Sequence, residues 1–124
     1  MAIVGVGIDA VEIDRFRELL ARRTSMRARL FSPDELDVVA ARHDDAPSLA
    51  ARFAAKEATM KSLGLGLGAF GFHECEILRA ESGAPLLRTS GRLVELEGEH
   101  GVTSWHVSLT HTDSMASAVV VAES

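Results

Sequence analysis

The stretch "SLAARFAAKEATMKSLG", residues 48 to 64, constrains the fold more than any other segment. Its alanines and unbranched side chains carry high helix propensity, and the glycines at 64, 66, 68 and 71 end it in a loop of little side-chain bulk. Ala50, Ala54 and Ala58 fall near one side of this helix, which lets something approach it closely, although alanines are also simply good helix formers. The expectation is a long central helix packed on a mainly antiparallel sheet. At 124 residues the chain suffices for one domain, 1-124, burying roughly two-thirds of its unfolded surface.

Residues 2 to 9, "AIVGVGID", are a short apolar run bounded by an acid and read as a core strand ending at Asp9. The opening has no basic leader and falls far short of the roughly 20 apolar residues of a membrane span, so neither an export signal nor a membrane anchor is expected. Val11, Ile13, Phe16, Leu19 and Leu20 recur at helical spacing and predict a helix over about 11 to 22. Asp9 then sits at a strand-to-helix junction, where a carboxylate projects into a cleft or, more commonly, caps the helix. In "SPDEL", Ser32, Pro33 and Glu35 form a capping box that starts a helix from 33 to about 42.

"HDDAP" interrupts the pattern; His43, Asp44 and Asp45 lack the spacing of metal ligands and are expected to face solvent. "FHECEILRA" alternates as a strand, "ESGAP" is a turn and "LLRT" a short return strand. "SGRLVELEGEHG" reads as a helix ended by Gly101, and "TSWHVSLTHT" and "ASAVVVAE" as two further strands around a turn near Asp113 and Ser114. With no repeat or linker, the class is α+β.

The formal net charge of −5 argues against a generic binder of nucleic-acid backbone. Arg15, Arg17, Arg22, Arg23, Arg27 and Arg29 nevertheless cluster, either as a solvated helix and loop or as a docking face for an acidic partner. Cys75 is the only cysteine, which excludes an internal disulfide or a multi-cysteine zinc site and fits a reducing, cytoplasmic setting.

Three features bear on chemistry. Glu57 and Lys61, four residues apart, are neighbours on one helix face, an arrangement that often does no more than support the helix by about 0.2–0.5 kcal/mol. Arg52 lies about 140° round the same helix from Glu57, so it should point elsewhere, and on its own it reads as a surface arginine. In "HVSLTHT", His106, Ser108, Thr110 and Thr112 share one strand face, with Val107, Leu109 and His111 on the other; the polar face is a solvated one or a binding one. Asp9 and Glu57, on separate rigid elements, would suit Mg²⁺ if the fold brings them together. No phosphate-loop, dinucleotide or HExxH motif is present.

"GVGIDAVEIDRF", "LAARFAAKEATMKSLG" and "HVSLTHT", with "LFSPDEL" and "SGAP" between them, resemble in order and spacing the signature segments of the holo-acyl-carrier-protein synthases, the small 4′-phosphopantetheinyl transferases. The resemblance covers essentially the whole chain and implies the fold of that family. It also implies Mg²⁺-dependent transfer of 4′-phosphopantetheine from coenzyme A to a serine of an apo-acyl carrier protein, by homotrimers whose active sites lie between subunits. Asp9 and Glu57 match the family's metal-binding carboxylates, and Lys61 the lysine that reaches the phosphates. Arg52 and His111 match positions at the coenzyme's 3′-phosphate, with Ser108 and Thr110 on the same strand and Gly64 after the central helix. Gly83 and Pro85 match a segment that packs on the adenine from a neighbouring subunit, and Arg15 and Arg22 the positions that receive the acidic carrier. Phe53 stands where many relatives have tryptophan. Phosphoryl-type transfer needs chiefly positioning and charge stabilisation. Glu57 is the expected base, directly or through water, with His111 second. The alternative reading is a non-catalytic module of the same fold that binds coenzyme A or a nucleotide.

Overall fold

In the computed structural model, which describes residues 1–124, the chain runs β1 (Ile3–Glu12), α1 (Ile13–Arg22), α2 (Met26–Leu30), α3 (Pro33–Val39), α4 (Ala46–Ser62), one 3-10 turn (Phe72–Glu74), β2 (Cys75–Arg79), β3 (Pro85–Thr89), α5 (Gly91–His100), β4 (Ser104–His111) and β5 (Met115–Glu123). All strand pairing is antiparallel: a three-stranded sheet in the order β1-β5-β4 and a separate hairpin of β2 and β3. The α+β class and the central helix on an antiparallel sheet are as the sequence implies.

Helix α4 is buried on almost every side, between one core that includes Met60, Ile77 and Leu93 and a second that includes Phe16, Phe31 and Leu49. What approaches its alanines is the chain's own first strand. A Cβ on Gly7 would fall 1.8 Å from the carbonyl oxygen of Ala58, and one on Gly5 1.7 Å from that of Ser62. Glycine in the "GVG" of β1 therefore lets strand and helix backbones meet, a contact that a larger residue would prevent.

The strand alternation assigns two faces to the large sheet. Toward α4 point Gly7, Val120 and Val107 in one row, then Asp9, Ala118 and Leu109, then Val11, Ala116 and His111. The opposite face carries Val6, Val121 and His106, then Ile8, Val119 and Ser108, then Ala10, Ser117 and Thr110. Val6 and Ile8 are 57% and 67% exposed.

Several boundaries differ from the sequence reading. β1 does not end at Asp9, because β5 pairs with it as far as Glu12↔Met115, and the amide of Ile13 then donates to Ser114 O at 2.9 Å. Helix α1 can begin only at Ile13, so Asp9 lies inside a strand and caps nothing. Helix α2 is a single turn and a half, too short to register as a period, and is held by buried Leu30. Helix α3 has the expected capping box but stops at Val39, where the amides of Ala40 and Arg42 turn to carbonyls three residues back. Helix α4 starts at Ala46 rather than Ser48, since Pro47 in its first turn needs no amide partner. The strand expected from Phe72 begins only at Cys75: the Glu74 carboxylate accepts the Gly71 amide at 2.6 Å and holds residues 72 to 74 in a turn. The return strand and the last hairpin lie where the alternation predicts them.

Candidate active site

One stripe of α4 escapes burial. Phe53 and Glu57 are half-buried and Lys61 is exposed, at positions i, i+4 and i+8. Phe53 stacks at a tilt between Phe16 and Phe72, with ring centroids 5.4 and 5.9 Å away, and packs partly buried against the second core. Glu57 and Lys61 then emerge beside the α4-facing side of β1, where the alternation places Asp9.

Lys61 does not pair with Glu57 as mere helix support would require. Its Nζ donates to Asp9 Oδ1 at 2.9 Å and to Ile8 O at 3.1 Å, and the bond to Asp9 raises the lysine above its ordinary pKa. Glu57 is raised as well, by burial first and by the Asp9 charge second, with Lys61 partly opposing. Two carboxylates thus share one place with one ammonium. Asp9, Glu57, Phe53, Phe16, Arg15 and Arg22 line a cleft of about 510 Å³. The predicted carboxylates and the two predicted docking arginines therefore meet, while Arg17 and Arg27 of the same basic cluster are tied to Asp44 and Asp45. His43 faces solvent as expected, but its two acidic neighbours serve as anchors for α1 and α2.

Asp9 and Glu57 offer oxygen ligands only, and no third His, Cys, Asp or Glu joins them. That donor set fits a hard divalent cation such as Mg²⁺, which takes one or two carboxylates and completes its shell with water and substrate phosphate.

A second cleft, of about 220 Å³, opens on another side of α4. Its walls include Arg52, His111, Thr110, Gly83 and Pro85, all anticipated from sequence, together with Arg42 and Arg79, which were not. Arg52 is no surface arginine: the residue is 4% exposed, with Nε donating to Ile77 O at 2.9 Å and one terminal nitrogen to Ser48 O at 3.3 Å. Two of its five N–H donors are spent there, which leaves three for a ligand. Burial lowers its pKa, the nearby Arg79 and Arg42 lower it further, and Glu35 opposes them. Cations gathered in a partly desolvated cleft make an anion site. Arg42 and Arg79 escape sequence reading because each ends or follows an element with no motif around it.

Gly83 holds a left-handed backbone (φ +90°) in the 80–84 turn, which only glycine adopts without strain. His111 is exposed, with Nδ1 3.2 Å from Thr112 O. Ser108 points to the far face of the sheet, and neither it nor Gly64 nor Lys61 lines either cleft. Within one chain, Arg52 and Glu57 accordingly open into different clefts. Cys75 is a buried residue of the first core, and that burial pushes its thiol up to about 11.

Comparison with known proteins follows the same lines. Residues 5–122 match the family model described as the 4′-phosphopantetheinyl transferase superfamily. A holo-[acyl-carrier-protein] synthase of Streptomyces avermitilis is 49% identical over 123 residues, 99% of each chain. The crystal structure of the synthase of that name from Neisseria meningitidis superposes with a TM-score of 0.90 at 30% identity, covering 99% of this chain and 100% of that one. The Helicobacter pylori synthase in complex with coenzyme A gives a TM-score of 0.83 at 31% identity, over 95% and 99%. With its full-length match and its two charged clefts, the chain belongs to the 4′-phosphopantetheinyl transferase superfamily.

Proposed function

We propose that the protein is a holo-acyl-carrier-protein synthase, moving 4′-phosphopantetheine from coenzyme A to a serine of an apo-acyl carrier protein and releasing 3′,5′-ADP. The observation that carries this reading is the meeting of Asp9 and Glu57, from a strand and a helix, in one cleft, with Lys61 bonded to Asp9 at 2.9 Å. Asp9 and Glu57 would hold Mg²⁺, which when bound neutralises charge on the pyrophosphate. Lys61, held beside the carboxylate cleft by Asp9, would meet the same pyrophosphate. Arg52 and His111, aided by Arg42 and Arg79, hold the 3′-phosphate, and Gly83 and Pro85 leave a flat wall for the adenine. The serine oxygen bonds to the phosphorus that carries the pantetheine, and the bond from that phosphorus to the bridging oxygen breaks. Glu57 takes the serine proton, directly or through a water, with His111 as the second candidate base.

The two clefts also support a homotrimer with shared sites, in which the carboxylate cleft of one copy faces the arginine cleft of the next. The exposed apolar sheet face of Val6 and Ile8 would be covered in that assembly, with Ser108 and Thr110 at its edge. Arg15, 81% exposed at its side chain, and Arg22 at the rim of the carboxylate cleft suit an acidic carrier protein. A lone buried thiol fits the reducing cytoplasm.

The test is the intact mass of an apo-acyl carrier protein after incubation with this protein, coenzyme A and Mg²⁺. A gain of one phosphopantetheine is expected. Binding of coenzyme A with no gain on any of several carriers would instead make the chain a non-catalytic module.

A further inference from the structure

Lys56 sits beside Glu57 in the central helix, yet it points away from both clefts into the core, where it is fully buried. Its Nζ donates to Glu35 Oε1 at 2.7 Å, to Phe72 O at 2.7 Å and to Cys75 O at 2.5 Å, and lies 5.6 Å from the centre of the Phe31 ring. All three ammonium donors are used. Glu35 is equally buried. Its Oε1 also accepts the Ser32 amide at 3.1 Å, closing the α3 capping box, and its Oε2 accepts the amide of Ile77 at 3.0 Å.

These bonds explain an otherwise unpaired strand edge. β2 pairs only with β3, and Ile77, opposite Leu87, turns its N–H and its C=O away from that partner. Where a third strand would lie, side chains stand instead: Lys56 on Cys75 O, Glu35 on Ile77 N–H and Arg52 Nε on Ile77 O. The same Ile77 residue that Glu35 grips by its amide is the one that aims Arg52 by its carbonyl. An exposed helix position tolerates many side chains, but a fully buried ion pair is costly to desolvate and is often no more stabilising than an apolar pair of equal volume. Its presence here calls for a positional rather than an energetic explanation.

We infer that the buried Lys56–Glu35 pair is a positioning device for Arg52, holding the free edge of β2 in the place from which Ile77 O aims the guanidinium into the arginine cleft. The inference rests on the reading above, in which that guanidinium meets the 3′-phosphate of coenzyme A. It predicts that the pair governs discrimination between coenzyme A and 3′-dephospho-coenzyme A while contributing nothing to the phosphoryl step.

The experiment measures KM and kcat for both coenzymes in the wild type, Arg52→Ala, Glu35→Gln and the double variant Lys56→Met/Glu35→Met. The double variant exchanges the ion pair for apolar groups of similar length and so avoids a buried unpaired charge; Glu35→Gln keeps the side-chain shape. Thermal melts confirm that each is folded. The expected result is a KM for coenzyme A raised about tenfold in the double variant and in Glu35→Gln, with kcat on 3′-dephospho-coenzyme A unchanged, so that the preference falls toward that of Arg52→Ala. A folded double variant or Glu35→Gln with wild-type discrimination, in the presence of a discrimination-deficient Arg52→Ala, overturns the positioning role alone. If Arg52→Ala itself discriminates like the wild type, the assignment of Arg52 to the 3′-phosphate falls and takes the positioning role with it. A uniform loss of kcat on both coenzymes, with discrimination intact, would reduce the pair to a purely structural one and also overturn the inference.

Discussion

Replacing Gly7 by alanine adds one methyl group and should disable the site without touching any charged residue. The new Cβ would lie 1.8 Å from Ala58 O, 2.7 Å from Ala58 C and 2.9 Å from Ser62 N, all backbone atoms of α4 that no rotamer change can move. Restoring a contact of about 3.5 Å requires β1 and α4 to part by about 1.7 Å. Overpacking of this kind costs about 3 kcal/mol, offset by up to about 1 kcal/mol because alanine loses less backbone entropy than glycine. A net loss of about 2 kcal/mol lowers Tm by about 8 °C for a chain of this size. The functional effect is larger, because Asp9 rides on β1 while Glu57 and Lys61 ride on α4. The 2.9 Å bond from Lys61 to Asp9 does not survive such a displacement, and misplacement on the order of 1 Å costs about 100-fold in rate. Gly98→Ala is the control, since nothing lies within 4 Å of its Cβ and alanine gains up to about 1 kcal/mol inside α5. Thermal melts and transfer rates on both variants decide the matter. A Gly7→Ala protein that melts within a degree or two of the wild type and turns over normally would refute the tight seating of strand on helix.

Two other perturbations probe separate features. Ile8→Lys places a charge in the exposed apolar face of the sheet; sedimentation should find the wild type as a multiple of its 13.3 kDa chain and the variant as a monomer, and a monomeric wild type would sink the shared-site assembly. Arg88→Ala tests an acid-sensitive contact. Burial alone would raise Glu76, but the Arg88 bonds at 3.0 and 2.9 Å and the Ser32 hydroxyl hold its carboxyl below the ordinary 4.5. A depressed folded value means stability that is present above the ordinary carboxylate range and is lost as the pH falls through the folded value. The Tm gap between wild type and Arg88→Ala should therefore be open at neutral pH and narrow as the pH falls through the folded value, the Asp34 carboxylate that Arg88 also binds at 2.6 Å adding to the change; a gap that stays constant would show that the charge of Glu76 is not what Arg88 serves.

Local chemistry made most of the fold legible. The capping box of α3, the left-handed glycine after α5 and the alternation of β4 and β5 each follow from a few adjacent residues, and each is present. What was not legible depends on distant partners. Only β5 determines that β1 continues to Glu12, and only the hairpin of β2 and β3 tells Arg52 from an ordinary surface arginine. The alanine side of α4 signalled a close approach, but the partner was the glycines of β1. Glu57 and Lys61 were rightly placed on one face, yet an i,i+4 spacing carried no sign that Lys61 would turn to Asp9, 52 positions away in sequence. Glu35 is the sharpest case: its spacing from Ser32 announced a helix cap, and nothing local announced the buried lysine it also binds.

Asp9, Glu57 and Lys61 together make the transferase centre proposed above, and the carrier-mass assay run on Glu57→Gln beside the wild type tests it. Glutamine keeps the size of the side chain but neither bears the charge nor accepts the serine proton. The expected result is one added phosphopantetheine per carrier with the wild type, and transfer slowed by about 100-fold or more in a variant that melts like the wild type. Equal mass gain at equal rate from the two proteins would contradict it.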